Sequence, residues 1–443
     1  MKQREIFWFW LPLFASWLLM TTEGPTVSAA INRLPNEVVM LAAQGIVVSL
    51  SVTIESPIIN LLATSTALVR DRASYLLVRK FTLHWAIFLT AVTVLIAFTP
   101  LYDVVVVQLL GTPPEVAVWV RPGLRIMTLW SAAIAWRRFL QGVLIHFDQT
   151  SKVAWGTAVR LFASGGTVIG LALWSVLPGV ISGAIALMAG VIAEAAYATL
   201  AVRPLLRTTL SPQGPAADGE ALTYRQLLWF HLPLAATALL TLLSQPLVTS
   251  TLARLPQPTE SLAAWPVLFQ IMLMARAAAF ALPEAVIALS ERPNSFQPVR
   301  RFSFILAGVL TLAMAGFVFS PAAALYVFGV QDMTKLVGDL AMSSLTLFLL
   351  FPALATITSW LRGLLINRRN TKVVNIGMAI NLVVTAIVLV IGLVNRQPGL
   401  STAAVALNLA SLFEIIYLGW RTQHVLPLNG PLFKFWRQEP LVQ

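Results

Sequence analysis

Long apolar runs separated by short polar connections set the pattern of this chain. About 20 consecutive apolar residues suffice to cross a bilayer as a helix. The chain carries about twelve such runs, at residues 7–30, 38–66, 82–110, 117–141, 153–177, 179–202, 228–252, 260–288, 302–328, 336–361, 373–394 and 401–420. The pattern predicts an all-α integral membrane protein of about twelve transmembrane helices. Two runs contain helix-breaking residues at membrane depth, in "TTEGPTVSAAINRLPNE" (residues 21–37) and "LLSQPLVTSTLARLPQP" (residues 242–258).

Those two stretches belong to a wider duplication. Leu11-Pro12-Leu13 returns at Leu232-Pro233-Leu234, and Arg33-Leu34-Pro35 returns at Arg254-Leu255-Pro256, both shifted by 221 residues. "LQGVLIHFDQT" from Leu140 answers "LRGLLINRRNT" from Leu361 at the same shift, and "EAAY" at Glu194 answers "EIIY" at Glu414 at a shift of 220. Ordered matches at nearly one offset mark two homologous halves. Six spans per half is an even number, so the repeats are parallel and related by an axis along the membrane normal. The expected organisation is a six-helix lobe at 1–206, a cytoplasmic linker at 207–226, a second six-helix lobe at 227–425 and a cytoplasmic tail at 426–443.

Charge then orients the bundle. The termini and even-numbered connections carry 21 of the 30 Lys and Arg, the odd-numbered connections 5, and Arg125, Arg160, Arg276 and Arg362 fall inside or at the edge of spans. The positive-inside rule puts both termini in the cytoplasm. Lys2 and Arg4 ahead of the first run imitate a secretory signal. A copy of that run in mid-chain argues for a retained span. The composition agrees: 58% hydrophobic and 11% charged residues with mean hydropathy +0.80, where soluble chains carry roughly 25% charged residues. Short basic clusters between apolar runs belong to a membrane face, and no nucleic-acid partner is expected. The chain has no cysteine, so disulfides and thiolate chemistry are excluded.

At this level of detail the residues resemble a known family. "EGPTVSAAINRLPNEVVMLAAQGIVVSL" (23–50) looks like the first-to-second helix region of the progressive ankylosis (ANK) proteins, and "SQPLVTSTLAR" (244–254) and "TSWLRGLLINRRNTK" (358–372) look like matching regions of their second half. That family is similar in fold to the multidrug/oligosaccharidyl-lipid/polysaccharide exporters, which include the MATE transporters. The resemblance implies a V-shaped MATE-like exporter. It also implies a cargo of the pyrophosphate, nucleotide or citrate class.

Buried ionisable residues are the candidates for chemistry, because a charge at mid-bilayer costs about 2.5–3.5 kcal/mol even on lenient scales. Glu23 beside Gly24-Pro25, Glu55 two residues before Pro57, and Glu284 after Pro283 are candidate coupling-ion sites for a proton or sodium. Gly24, Pro25, Pro57, Pro246 and Pro283 are candidate gates or hinges, since a broken helix is tolerated where backbone lines a cavity. Ser244 replaces Glu23 in the second half, with the proline kept at Pro246. Arg125, Arg160 and Arg276, with Gln245, are candidate substrate contacts, because the guanidinium fork suits carboxylate or phosphate. The competing account pairs these arginines with Glu23, Glu55 or Glu284 as structural bridges. Glu194 and Glu414, with Tyr197 and Tyr417 one turn on, share one structural role in the two halves, expected to be ties to nearby basic loops. Gln141 and Arg362 are repeat partners beside Gly142 and Gly363, where close helix packing is the simplest account.

Absences narrow the function. The sequence has no G-x-x-x-x-G-K-[ST] loop, no G-x-S-x-G elbow and no metal-ligand spacing among His84, His146, His231 and His424. No cofactor and no metal are expected, and an enzyme is the outlying possibility. The favoured expectation is a monomeric secondary exporter of an organic or phosphate-bearing anion in a bacterial inner membrane. The alternatives are a MATE-like proton- or sodium-coupled antiporter for cationic drugs and a flippase for a lipid-linked substrate. A surplus of unpaired arginine in the central cleft favours anions, and a surplus of unpaired glutamate favours cations.

Overall fold

The computed structural model describes residues 2–212, 221–290, 295–368 and 370–425. The middle of the expected linker, the expected tail 426–443, and Arg292, Arg369, Lys434 and Arg437 therefore lie outside the described residues. The first half is built from α1 (Gln3–Thr21), α2 (Glu23–Ile31), α3 (Glu37–Ile59), α4 (Leu61–Leu68) and α5 (Arg72–Phe98), then α6 (Pro114–Ile126), α7 (Trp130–His146), α8 (Thr150–Trp174) and α9 (Gly179–Arg207). The second half follows as α10 (Tyr224–Leu242), α11 (Ser244–Leu252), α12 (Pro258–Phe280), α13 (Leu282–Ser290) and α14 (Phe296–Val318). It ends with the short α15 (Pro321–Ala324), α16 (Lys335–Leu345), α17 (Phe351–Asn367), α18 (Thr371–Val394) and α19 (Gly399–Val425). Ten helices or collinear helix pairs among the described residues are long and apolar enough to cross a membrane, and the pair 335–348 and 351–367, bent by 48°, forms an eleventh. Its repeat counterpart, α6 with α7, is not among these spans; Arg121, Arg125, Arg137 and Arg138 fall within it.

The 221-residue offset governs the architecture. The bounds of α3 and α12 differ by that number at both ends, and so do those of α1 and α10. The helix breaks match too: Thr22 and Leu243 interrupt the first rod of each half, and Asn60 and Ala281 interrupt the second. Pro25 and Pro246 sit three residues past the first break, each without an N–H to donate four residues back. At the second break the halves use different prolines, Pro57 before it and Pro283 after it.

The pseudo-twofold axis is visible in one contact. Gly45 on α3 lies against Pro266 on α12, its repeat equivalent, so closely that a Cβ on Gly45 would come within 2.7 Å of the proline Cγ. The two halves thus meet through the portions of α3 and α12 farthest from the basic connections, here called the far end. At the basic end the halves exchange their first helices. Trp10 of α1 donates its indole N–H to the Ala278 carbonyl at 3.0 Å, and Gln3 reaches the Pro298 carbonyl at 2.9 Å. Ile6 and Trp10 are buried in one apolar cluster with Leu282, Val286 and Phe302 of the second half. In the reverse direction, His231 of α10 holds the Thr64 hydroxyl and the Pro57 carbonyl, both at 2.9 Å, and Asn60 donates to the Leu234 carbonyl. The division between halves in the sequence is therefore not the division between packed bodies.

One boundary differs from the reading of apolar runs. The third run, expected at 82–110, is a helix at 72–98 that stops at Thr99-Pro100 and continues as a π-helical turn at 103–109. Its second-half counterpart repeats the break at Phe319-Ser320-Pro321, with a π-helical turn at 325–330. Proline ends the ladder in both places, but the apolar sequence runs on past it and hides the stop.

Candidate functional site

Each half encloses a polar core around one buried glutamate of its last helix. In the first half, Glu194 on α9 is fully buried and accepts from Arg137 Nη1 and Gln141 Nε2, both on α7 and both at 2.8 Å. Arg160 of α8 approaches the same carboxylate at 3.9 Å. Its Nε and Nη2 bind the two oxygens of Glu23 at 3.0 and 2.6 Å, a fork-to-fork bridge to the first residue of α2. Such a network offsets the cost of withdrawing several ions from water because each charge finds both an opposite charge and directed hydrogen bonds.

The second half rebuilds this core with fewer charges. Glu414 on α19 accepts from Arg362 Nε at 2.7 Å and Nη2 at 2.5 Å, and from Asn381 of α18 at 2.9 Å. By the repeat offset Arg362 replaces Gln141, and Asn381 replaces Arg160. Gly156 and Gly377, again equivalent, let α8 and α18 close over the glutamate stems, where a Cβ would meet the Glu194 and Glu414 Cγ atoms at 3.6 and 3.5 Å. Gly142 and Gly363 do the same for neighbouring helices: Gly142 packs on Ser65 and the Leu62 carbonyl, Gly363 on Val286 and Pro283.

Two candidates remain unmatched, and they occupy the same place in the repeat. Glu55 on α3 and Arg276 on α12 are 221 residues apart. Glu55 is buried, and its Oε2 has no hydrogen-bond partner among the described residues. Arg137, Arg160 and Arg138 act on it electrostatically, with the Trp130 indole alongside. Arg276 makes no hydrogen bond to a described residue, and its Nε is buried without an acceptor. Its guanidinium lies 5.0 Å from the Phe280 ring centroid and 5.1 Å from that of Phe351, within electrostatic range of Arg362 and Glu414. Phe351 is the repeat equivalent of Trp130, so the aromatic position beside Glu55 recurs beside Arg276, although the first core also holds Arg138, whose Nε is buried without an acceptor among the described residues.

The remaining candidates lie elsewhere. Arg125 is exposed, donates to the Ala97 carbonyl at 3.3 Å and rests over Phe98 at 5.1 Å, at the far-end terminus of α5 and outside both cores. Glu284 is exposed in the first turn of α13, just past the break at Ala281. Gln245 is half-buried on α11, and its side chain makes no hydrogen bond to a described residue. Gly24 packs on the Gln270 side chain of α12, which donates to Ser28 at 2.7 Å, so this junction ties the halves together. Glu194 and Glu414 are tied to arginines inside the bundle and not to basic loops. Arg137 and Arg138 belong to this core although charge counting assigned them to a basic connection; α7 runs on to His146 and carries both of them inward. The repeat offset was the available signal, since Glu194 with Gln141 and Glu414 with Arg362 mark equivalent polar positions in both halves.

No protein-family model and no curated protein matches the sequence. Solved structures do match across nearly the whole chain. An inward-facing multidrug resistance MATE family transporter of the MOP superfamily shares 13% identity at a TM-score of 0.71, covering 93% of this chain and 95% of that one. The lipid II flippase MurJ in an inward closed conformation shares 13% identity at 0.69, over 94% and 87%. A MOP superfamily transporter from Pyrococcus furiosus, described as having a binding pocket of reversed polarity, shares 12% identity at 0.64, over 96% of both chains. The chain has the fold of MATE-like MOP superfamily transporters and is an integral membrane protein.

Proposed function

We propose that this chain is a secondary active exporter working by alternating access, and that its cargo is an organic or phosphate-bearing anion. The ANK-like motifs around Glu23 and Thr358 favour the pyrophosphate, nucleotide or citrate class. The observation that carries the reading is the state of Arg276. A half-buried guanidinium held between two ring faces with no carboxylate or carbonyl to receive its hydrogens is a donor set awaiting an acceptor. Across the two cores, the carboxylates Glu23, Glu55, Glu194 and Glu414 stand against the guanidiniums Arg137, Arg138, Arg160, Arg276 and Arg362. The balance is one positive charge, which favours an anion.

Glu55 supports a coupling role in the same scheme. A buried carboxylate with an unpartnered oxygen can take a proton or sodium. That observation also sustains a second reading, a proton- or sodium-coupled antiporter for cationic compounds, in which Glu55 meets the cargo and Arg276 is structural. The named structural neighbours include a multidrug transporter and a lipid flippase, and both fit alternating access between two lobes. Both termini in the cytoplasm and residence in a bacterial inner membrane complete the proposal.

Uptake into inside-out vesicles, with a panel of anions and cations under imposed proton and sodium gradients, separates these readings. Accumulation of a carboxylate or phosphate compound that collapses in Arg276→Ala supports the anion exporter. Uptake of lipophilic cations alone, insensitive to that substitution, overturns it.

A further inference from the structure

At the far end, the carbonyls that a π-helical turn leaves unbonded are received by the opposite half. After the turn at 103–109 the chain folds back with Leu110 N bonded to the Val105 carbonyl and Thr112 N to Val106. After the turn at 325–330 the equivalent bonds run from Gln331 N to Tyr326 and from Met333 N to Val327. In each case three consecutive carbonyls, of residues 108–110 and 329–331, face outward without a donor from their own helix. Terminal carbonyls carry the negative end of the helix dipole and seek cations or N–H donors.

Both triplets are filled by one arginine and its neighbours across the interface. Arg254 donates from Nη2 to the Gln108 and Leu109 carbonyls at 2.8 Å each, and from Nη1 to Leu110 at 2.9 Å. Arg33 donates from Nη2 to the Gly329 and Val330 carbonyls at 3.3 and 3.0 Å, while its neighbour Asn32 takes Gln331 at 2.7 Å. Arg33 and Arg254 are repeat equivalents, each reaching from the loop after the first rod of its own half into the opposite half. The residue after each triplet adopts a left-handed backbone: Gly111 at φ 69° and Asp332 at φ 53°. A Cβ on Gly111 would stand 2.7 Å from the Arg254 Cζ, so a side chain there pushes the guanidinium aside. Asp332 instead adds a carboxylate 4.0 Å from Arg33.

We infer that Arg33 and Arg254 form a symmetric pair of latches that hold the far end of the transporter shut. The inference rests on the alternating-access reading and adds to it the residues that close one gate. Separation of the halves at this end strips all six carbonyls of their partners at once, and water must take over each site. Release is therefore cooperative between two equivalent latches, and the closed form is favoured whenever the cleft is empty. No cargo enters this reasoning, so the gate operates for an anion, a cation or a lipid headgroup alike.

The absence of native cysteine makes the test direct. Val118 on α6 and Leu336 on α16 are exposed, one in each half near the far end, and take spin labels as V118C/L336C. Pulsed electron paramagnetic resonance in nanodiscs then reads the separation of the halves without any cargo. The pair is expected to show a dominant short distance, and R33A/R254A to shift the long-to-short ratio about tenfold upward, as loss of charge-assisted hydrogen bonds predicts. Gly111→Ala, which keeps every charge but displaces Arg254, is expected to shift it in the same direction by a smaller factor. An unchanged distribution in either variant, eluting as the unsubstituted protein does, overturns the latch. Two distances in the parent with no response to these substitutions would leave alternating access standing and remove only the arginines. Failure of the anion assay with a tenfold shift here would leave the latch standing and remove only the anionic cargo.

Discussion

Arg160 grips Glu23 with two parallel hydrogen bonds, at 3.0 and 2.6 Å, and so fastens α8 to the point where the first rod of the chain breaks. The acid beside Gly24-Pro25 is a clasp before it is anything else. Both side chains are nearly buried, so removing one partner strands the other charge.

Glu23→Gln is accordingly expected to destabilise the protein by about 3 kcal/mol, and Arg160→Gln by a similar amount, while the double variant recovers at least about 1 kcal/mol of the summed loss. Thermal unfolding in detergent, read as a double-mutant cycle, checks this. Strict additivity would mean that the two side chains do not depend on each other.

Arg276 and Arg362 should separate function from stability. Arg276 has no hydrogen-bond partner among the described residues, so Arg276→Ala is expected to cut uptake of an anionic cargo roughly 10- to 100-fold, the worth of a charge-assisted hydrogen bond, with little change in thermal stability. Arg362→Ala leaves Glu414 buried and unpaired and is expected to cost about 3–5 kcal/mol. Equal loss of stability in the two variants would assign Arg276 a structural role.

Glu55→Gln keeps the shape and removes the charge. Uptake in this variant is expected to lose its dependence on the imposed proton or sodium gradient while cargo binding persists. Vesicle flux with and without the gradient makes the comparison, and an intact gradient dependence retires Glu55 as the coupling site.

Glycine packing gives a sharp structural contrast. Gly142→Ala drives a Cβ into Ser65 and the Leu62 backbone carbonyl, which cannot yield, and is expected to destabilise by about 1–3 kcal/mol. Gly166, within α8, has nothing within 4 Å of such a Cβ, so Gly166→Ala is expected to be neutral or to stabilise by about 0.5–1 kcal/mol. Thermal shifts of the two variants, measured side by side, decide it.

Much of this was legible in the sequence because duplication repeats its marks. The offset that aligns Leu11-Pro12 with Leu232-Pro233 also fixes the paired breaks at Thr22 and Leu243, and ten or eleven of the expected twelve spans follow from apolar length. Glu194 and Glu414 announced an equivalent role, but their partners did not announce themselves. Arg137 stands beside the equally basic Arg138 in the sequence, and nothing local says that α7 carries it inward. The latches were illegible for a different reason. "RLP" is visible twice as a repeat marker, yet the acceptors of Arg33 are backbone carbonyls some 300 residues away, and carbonyls have no letter in the sequence. The exchange of α1 and α10 was hidden likewise, because an apolar stripe does not say which neighbour it packs against.

That exchange has a consequence for biosynthesis. The acceptor of the Trp10 indole, the Ala278 carbonyl, lies 268 residues further along the chain. At about 5–20 residues per second, the ribosome delivers it on the order of ten to fifty seconds after Trp10 has entered the bilayer. Throughout that interval the leading helix lacks the acceptor of its Trp10 N–H and the larger part of the surface that it packs against, which the second half supplies. The first half therefore cannot finish folding by itself, and the last steps of assembly must carry the oldest segment of the nascent chain into a pocket made by much younger ones.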